Sequence, residues 1–214
     1  MSYIAERRLE EKERRRAEIL DAAEAVTANV GWEAMTMDQV ARKARLSRAL
    51  VYVYFKDKTD LMFGIGERAL VTLRQYFVAA VAKDTRGLDQ LVAVGHAYIA
   101  YAREQPVYFD VMARCEIISP DTSNLQPNEE ACIVAGDSIL KLMQEALELG
   151  VRDGSVRPDV GDSKAVSMCL WAFTHGALQL ASTRANLLAH DGLQPQQVLE
   201  QAMLMMTRSL MNPG

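Results

Sequence analysis

The sequence predicts an all-α protein, and three observations carry that reading. Apolar residues recur three and four apart through each long segment, and no segment sustains period-two alternation. Half of the 214 residues are apolar, so a sizeable core can be buried. Glycine and proline are sparse, at 12 and 6, which argues against a turn-rich β sandwich.

Residues 5–29 read as one long helix, opening on a mixed-charge run from Glu6 to Glu18 and closing on a stripe of Ile19, Ala23, Val26 and Val30, with Gly31 as the stop. Thr36-x-x-Gln39 has the spacing of a capping box and starts a short helix ending near Ala44. Arg45-Leu46-Ser47 is a tight turn, and Ser47 is a suitable N-cap for a third helix, Arg48 to Phe55. Asp57-x-x-Asp60 opens a fourth helix, whose stripe of Leu61, Ile65, Ala69, Leu73 and Phe77 runs to about Ala82. Further helices are expected over Leu88–Arg103, Pro106–Ile117, Asn128–Gly150, 162–187 and 195–211, with Ser119–Asn128 as a loop. The expected division is 1–60 for a reading module with its motif at about 36–55, 61–82 for a linking helix, and 83–214 for a second helical domain.

The net charge of −4 alone argues against a nucleic-acid partner, but its distribution does not. Residues 42–58 hold six basic groups (Arg42, Lys43, Arg45, Arg48, Lys56, Lys58) against one acid, Asp57. Such a patch is either a solvated face or a nucleic-acid footprint. Two short helices joined by a tight turn, with Val40, Ala41, Leu46, Val51 and Phe55 as a small core, decide for a helix-turn-helix. Arg48, Ala49, Tyr52, Val53 and Lys56 are left outside its second helix, whose N-terminal half such modules place against base edges. Arg48 suits guanine, the commonest specific contact. Tyr52 and Tyr54 either reach phosphates or pack inside, and Lys58 is a further phosphate candidate.

The stretch Thr36-Met37-Asp38-Gln39-Val40-Ala41 through Ser47-Arg48-Ala49-Leu50-Val51-Tyr52-Val53-Tyr54-Phe55-Lys56-Asp57-Lys58-Thr59-Asp60-Leu61 resembles the signature of TetR-type transcriptional regulators. Ser47, a basic residue, Tyr52, Tyr54, Phe55, Lys58 and Leu61 stand in register with it. The resemblance implies an Ω-shaped dimer of about nine helices per chain, with DNA contacts from Thr36 or Met37, Arg48, Ala49, Leu50, Tyr52, Tyr54 and Lys58. This chain departs from the pattern at Arg45, where glycine is common, at Ala49-Leu50, where Gly-Thr is common, and at Met37, often a threonine.

Further along, Tyr98-Ile99-Ala100-Tyr101-Ala102-Arg103-Glu104-Gln105-Pro106 and Trp171-Ala172-Phe173-Thr174-His175-Gly176 resemble the regulatory domain of a TetR subgroup with a Trp-x-x-x-His-Gly element. The resemblance implies a regulatory pocket but carries no ligand over; the residues available to line it suit a small apolar or aromatic effector. Its candidate lining is Tyr98, Tyr101, Tyr108, Phe109, Met112, Met143, Trp171 and His175; each of these is otherwise ordinary core, His175 a packing histidine. The last two helices are the expected homodimer face, through Leu170, Ala177, Leu178, Ala181 and Ala185 on one and Val198, Ala202, Met205, Met206 and Leu210 on the other. A two-fold dimer matches a palindromic double-stranded operator.

These features point to a cytoplasmic transcriptional regulator, a repressor released from its operator by a small molecule. An effector-dependent activator, or a helical ligand-binding protein without DNA function, is the alternative. No catalytic residue, cofactor or metal is expected. The chain shows no phosphate-binding glycine loop or nucleophile elbow, and no Glu lies three residues before His96, His175 or His190. Cys115, Cys132 and Cys169 are odd in number and widely spaced, the pattern of reduced thiols. The Arg/Glu-rich start is unlike a signal peptide, and the longest apolar runs, such as Tyr76 to Ala82, fall far short of the roughly 20 residues a membrane span needs.

Overall fold

The computed structural model describes residues 3–118 and 123–213, so Ser119 to Thr122 of the expected loop lie outside the described residues. Ten helices and no strand occur among them: α1 Tyr3–Ala34, α2 Met37–Ala44, α3 Arg48–Tyr54, α4 Lys58–Val81, α5 Gly87–Glu104, α6 Pro106–Ile117, α7 Pro127–Asp153, α8 Ser163–Thr183, α9 Ala185–His190 and α10 Pro195–Leu210. The excess over the nine expected comes from the stretch 162–187, which ends one helix at Thr183 and starts a short second one at Ala185.

The chain forms two compact units, and sequence order does not divide them. One comprises residues 1–69 and 107–134; the other comprises residues 70–106 and 135–214. Helices α4 and α7 contribute residues to both.

The first unit is built by local signals around one core. Helix α1 breaks at Gly31, whose φ of 77° and ψ of 160° leave helical space. Val30, expected in the core stripe, lies beside that break and is exposed, while Ile19 and Ala23 are fully buried and Val26 is buried. At Thr36 the capping box forms as its spacing predicts: the hydroxyl accepts from the Gln39 N–H at 3.3 Å, and the Gln39 side chain accepts from the Thr36 N–H at 2.8 Å. Ser47 Oγ accepts from the Leu50 N–H at 3.2 Å and caps α3. Asp57 and Asp60 both cap the start of α4, with the Asp60 N–H donating to Asp57 Oδ1 at 2.8 Å and the Lys56 N–H donating to Asp60 Oδ2 at 2.9 Å. Ile19, Leu20, Val40, Val51, Phe55, Leu61, Ile65 and Val111 form the core these caps aim at.

The second unit packs α8 against α10 and α5. Its core holds Leu73, Phe77, Leu91, Tyr98, Tyr101, Ile139 and Leu147. Val156 and Met211 form an isolated antiparallel bridge, with the Arg157 N–H donating to Leu210 O at 2.9 Å and the Asn212 N–H donating to Ser155 O at 3.1 Å. No described helix is long and apolar enough to cross a membrane.

Candidate DNA interface and regulatory core

Helices α2 and α3 bury Val40, Ala41, Val51 and Phe55 and leave Arg48, Ala49, Tyr52, Val53 and Lys56 exposed. The crossing of the two helices is therefore fixed by one face of α3, and the opposite face is free for a groove. Arg48 is the first residue of α3, with its guanidinium held by Asp38 of α2 at 3.0 Å and lying 5.5 Å from the centre of the Tyr52 ring. Sequence reasoning missed this acidic partner, because Asp38 reads only as a favourable charge in the first turn of α2.

Other expected contact residues divide. Thr36, Ala49 and Tyr52 are exposed, and Leu50 and Tyr54 are half-buried, Tyr54 against the module's core. Met37 is a correction: only 7% of it is exposed and it belongs to the core cluster, because the first residue after the Thr36 cap turns inward against α1. Lys58 is also differently employed. Its ammonium donates to Trp32 O at 2.6 Å and to Glu33 O at 3.1 Å and lies 5.1 Å from the centre of the Trp32 ring. It thus closes the end of α1, and partial burial pulls its pKa below the usual lysine range.

Arg45 occupies the left-handed region at φ 57° and ψ 38°, as the C-cap of α2. A side chain there costs about 1–2 kcal/mol, partly offset by the extra unfolded-state freedom of glycine. Arg45→Gly is therefore expected to stabilise the protein by up to about 1 kcal/mol, read as a raised denaturation midpoint. An unchanged or lowered midpoint would mean that the arginine makes a compensating interaction.

The eight expected pocket residues do not share one unit. Tyr108, Phe109 and Met112 belong to the first, where the Tyr108 hydroxyl donates to Glu24 at 3.1 Å. Burial and the Glu24 carboxylate push the Tyr108 pKa up to about 12. Burial also raises the pKa of Glu24, against the opposing pull of Arg68. Arg68 ties α4 to α1 through Asp21 at 2.6 Å and Glu24 at 3.0 Å.

Tyr98, Tyr101, Met143, Trp171 and His175 belong to the second unit. Tyr98 stacks on Trp171 with centroids 4.9 Å apart, Phe77 meets the Tyr98 ring edge-on at 5.9 Å, and the Tyr98 hydroxyl is hydrogen-bonded to His175 Nδ1 at 2.6 Å. Phe77, Gly95, Tyr98, Met143, Trp171, Thr174 and Met206 surround a cavity of about 10 Å³, room for one water. Tyr101 is fully buried and does not line it. Sequence reasoning missed a larger feature, an open groove of about 690 Å³ between α4 and α5 lined by Tyr76, His96 and five alanines. Alanines read as helix formers, so their spacing carries no signal of a groove.

The ten residues expected on the dimer face divide: Ala185 and Met205 are exposed, and Ala177, Val198 and Ala202 are half-buried. Leu170, Leu178, Ala181, Met206 and Leu210 are buried within the chain's own core. The exposed apolar face consists of Cys169, Ala172, Phe173, Gly176 and Leu180 on α8, with Leu204 and Met205 on α10.

A capped two-helix module with an exposed basic and aromatic face, carried in a chain with a second helical unit, defines a helix-turn-helix regulator. Family comparison resolves the class. The model of the bacterial regulatory proteins of the tetR family matches residues 19–65, and that of the tetracyclin repressor-like C-terminal domain matches residues 91–206. The chain belongs to the TetR family.

The HTH-type transcriptional regulator HbdR of Aromatoleum sp. (strain CIB) is 32% identical over 93 residues, which cover 44% of this chain and 41% of HbdR. The match thus spans about two fifths of that relative's length. A bacterial regulatory protein in the tetR family from Rhodococcus RHA1 superposes with a TM-score of 0.66 at 19% identity, covering 94% of this chain and 98% of that one. The ketosteroid transcriptional regulator KstR2 of Mycobacterium tuberculosis gives 0.63 at 20% identity, covering 92% and 95%. At these identities the two structural likenesses establish the fold.

Proposed function

We propose that this chain is a transcriptional repressor that binds a palindromic double-stranded operator as a homodimer and leaves it when a small apolar effector binds. The observation that carries the reading is Arg48 at the head of α3, exposed and steered by Asp38, on a module whose inner face is fully packed. The exposed apolar face of α8 and α10 supports pairing with a second copy, since isologous faces of this kind bury themselves against their symmetry mates. The aromatic core around Tyr98, Trp171 and His175 supports an effector site. At about 10 Å³ the cavity is too small for an effector, so one enters by moving Met143, Trp171 or Met206 aside. Release then follows from differential affinity: the effector binds the opened core and selects the state that holds DNA poorly. The protein would act in the cytoplasm, where operator DNA lies.

Fluorescence anisotropy on overlapping duplexes from the DNA upstream of the gene tests this, at several salt concentrations. Selective binding to one palindromic duplex, weakening as salt rises, is the expected result. Equal, weak binding to every duplex, followed by failure of unbiased sequence selection to enrich any site, would overturn it.

A further inference from the structure

We propose that Cys115 and Cys132 are a redox pair, which a hydroperoxide converts into a disulfide inside the DNA-binding unit. Cys115 lies on α6 and Cys132 on α7, 17 positions apart in sequence, and their sulfurs converge on Gly66 of α4. A Cβ at Gly66 would lie 2.9 Å from Cys115 Sγ and 3.2 Å from Cys132 Sγ, so the two sulfurs share the hollow left by a missing side chain. The Cys115 thiol donates to Met62 O at 3.9 Å. The neighbouring Cys115 thiol pulls the Cys132 pKa down, while Cys132 and burial push that of Cys115 up. Cys115 is half-buried and Cys132 retains 7% exposure, so a small oxidant has a route to the pair. Cys169 is exposed, belongs to the other unit and serves as an internal control.

The chemistry balances with one hydroperoxide. The Cys132 thiolate attacks the terminal peroxide oxygen; the O–O bond breaks, the leaving oxygen takes a proton, and Cys132 becomes a sulfenic acid. The Cys115 sulfur then attacks that sulfur. The S–S bond forms, the S–O bond breaks, and the Cys115 proton leaves with the oxygen as water. Two thiols lose two electrons, and the peroxide is reduced to water and an alcohol, or to two waters for hydrogen peroxide.

The product bears on the reading module. Cys115 packs against the cluster containing Met62, Ile65, Val111, Val51 and Phe55. Bringing its sulfur to bonding distance of about 2.05 Å repacks the Cys115 side chain against that cluster. Oxidation therefore shifts operator affinity by about fivefold or more, a consequence that rests on the operator reading above.

The test treats the full-length protein with hydrogen peroxide, then alkylates and digests it. Trypsin leaves both cysteines in peptide 115–141, and further cleavage after Glu116 and Glu130 separates them. The expected result is a peptide lacking two hydrogens whose pieces stay joined until dithiothreitol is added, while Cys169 alkylates normally. Cys115→Ala and Cys132→Ala should each abolish the link, and circular dichroism checks that both fold. Separate pieces after oxidation, or Cys132 carrying two oxygens with no link to Cys115, would overturn the pair. Unchanged operator affinity in the linked protein would overturn its regulatory role. A reduced protein that binds no operator would instead bring down the operator reading, leaving the mass measurement to decide the disulfide.

Discussion

Gly87→Ala should destabilise the second unit by about 3 kcal/mol or more, enough to remove much of a typical domain's stability. Its Cβ would lie 2.0 Å from Gly150 N, 2.4 Å from Ala146 O and 2.4 Å from Gly150 Cα, and all three are backbone atoms of α7. No rotamer change can relieve such a contact, so two helices must separate. The crossing is also fixed by hydrogen bonds, the Gly87 N–H donating to Asp153 Oδ2 at 2.8 Å and the Leu88 N–H to Ser155 Oγ at 3.1 Å. Separation therefore strips partners from the first turn of α5. Gly95→Ala is the control. Its Cβ would also fall within 2.7 Å of atoms, but these are the Sδ and Cε of Met203, the flexible end of a side chain that can move aside. Urea denaturation of both variants should show a large loss for Gly87→Ala and a loss of about 1 kcal/mol or less for Gly95→Ala. Equal losses would show that α5 and α7 part more easily than their backbone contacts imply.

The reading module was legible because its signals are short-range. Thr36 with Gln39, Ser47 with Leu50, and Asp57 with Asp60 are partners three residues apart, and their spacing alone specifies the caps they form. The buried stripe of α4, from Leu61 to Phe77, follows from the helical period in the same way. What stayed hidden depends on residues distant in sequence. Lys58 reads as a phosphate ligand until Trp32 and Glu33 are brought beside it, and Tyr108 reads as a pocket residue until Glu24 takes its hydroxyl. The Cys115–Cys132 pair is invisible to spacing rules because Gly66, on a third helix, sets the place where the sulfurs meet. The end of α8 at Thr183 was missed for another reason: neither Thr183 nor Arg184 is a strong breaker, so the stop lies in tertiary context.

Arg48→Ala should weaken binding to the matched operator by about 1–3 kcal/mol, roughly 5- to 150-fold, while leaving the fold intact. The side chain is 65% exposed and its partner Asp38 is 51% exposed, so solvent screens their ion pair and it adds little to stability. The same weakness makes the pair suited to exchange. Asp38 and the Tyr52 ring hold the guanidinium at the head of α3, and a guanine edge offering two acceptors can replace the carboxylate at little cost. Asp38→Ala then has an opposite signature: it removes a competing anion and strengthens binding to operator and unrelated duplex alike, because a negative charge near the phosphates is gone. Discrimination separates the two. If Arg48 reads a base, Arg48→Ala narrows the gap between matched and mismatched duplexes and barely changes the salt slope. If it only neutralises a phosphate, affinity falls by the same factor on every duplex and the salt slope drops by about one. The second pattern would move specificity away from the first turn of α3, onto exposed Ala49 and Tyr52 or half-buried Leu50.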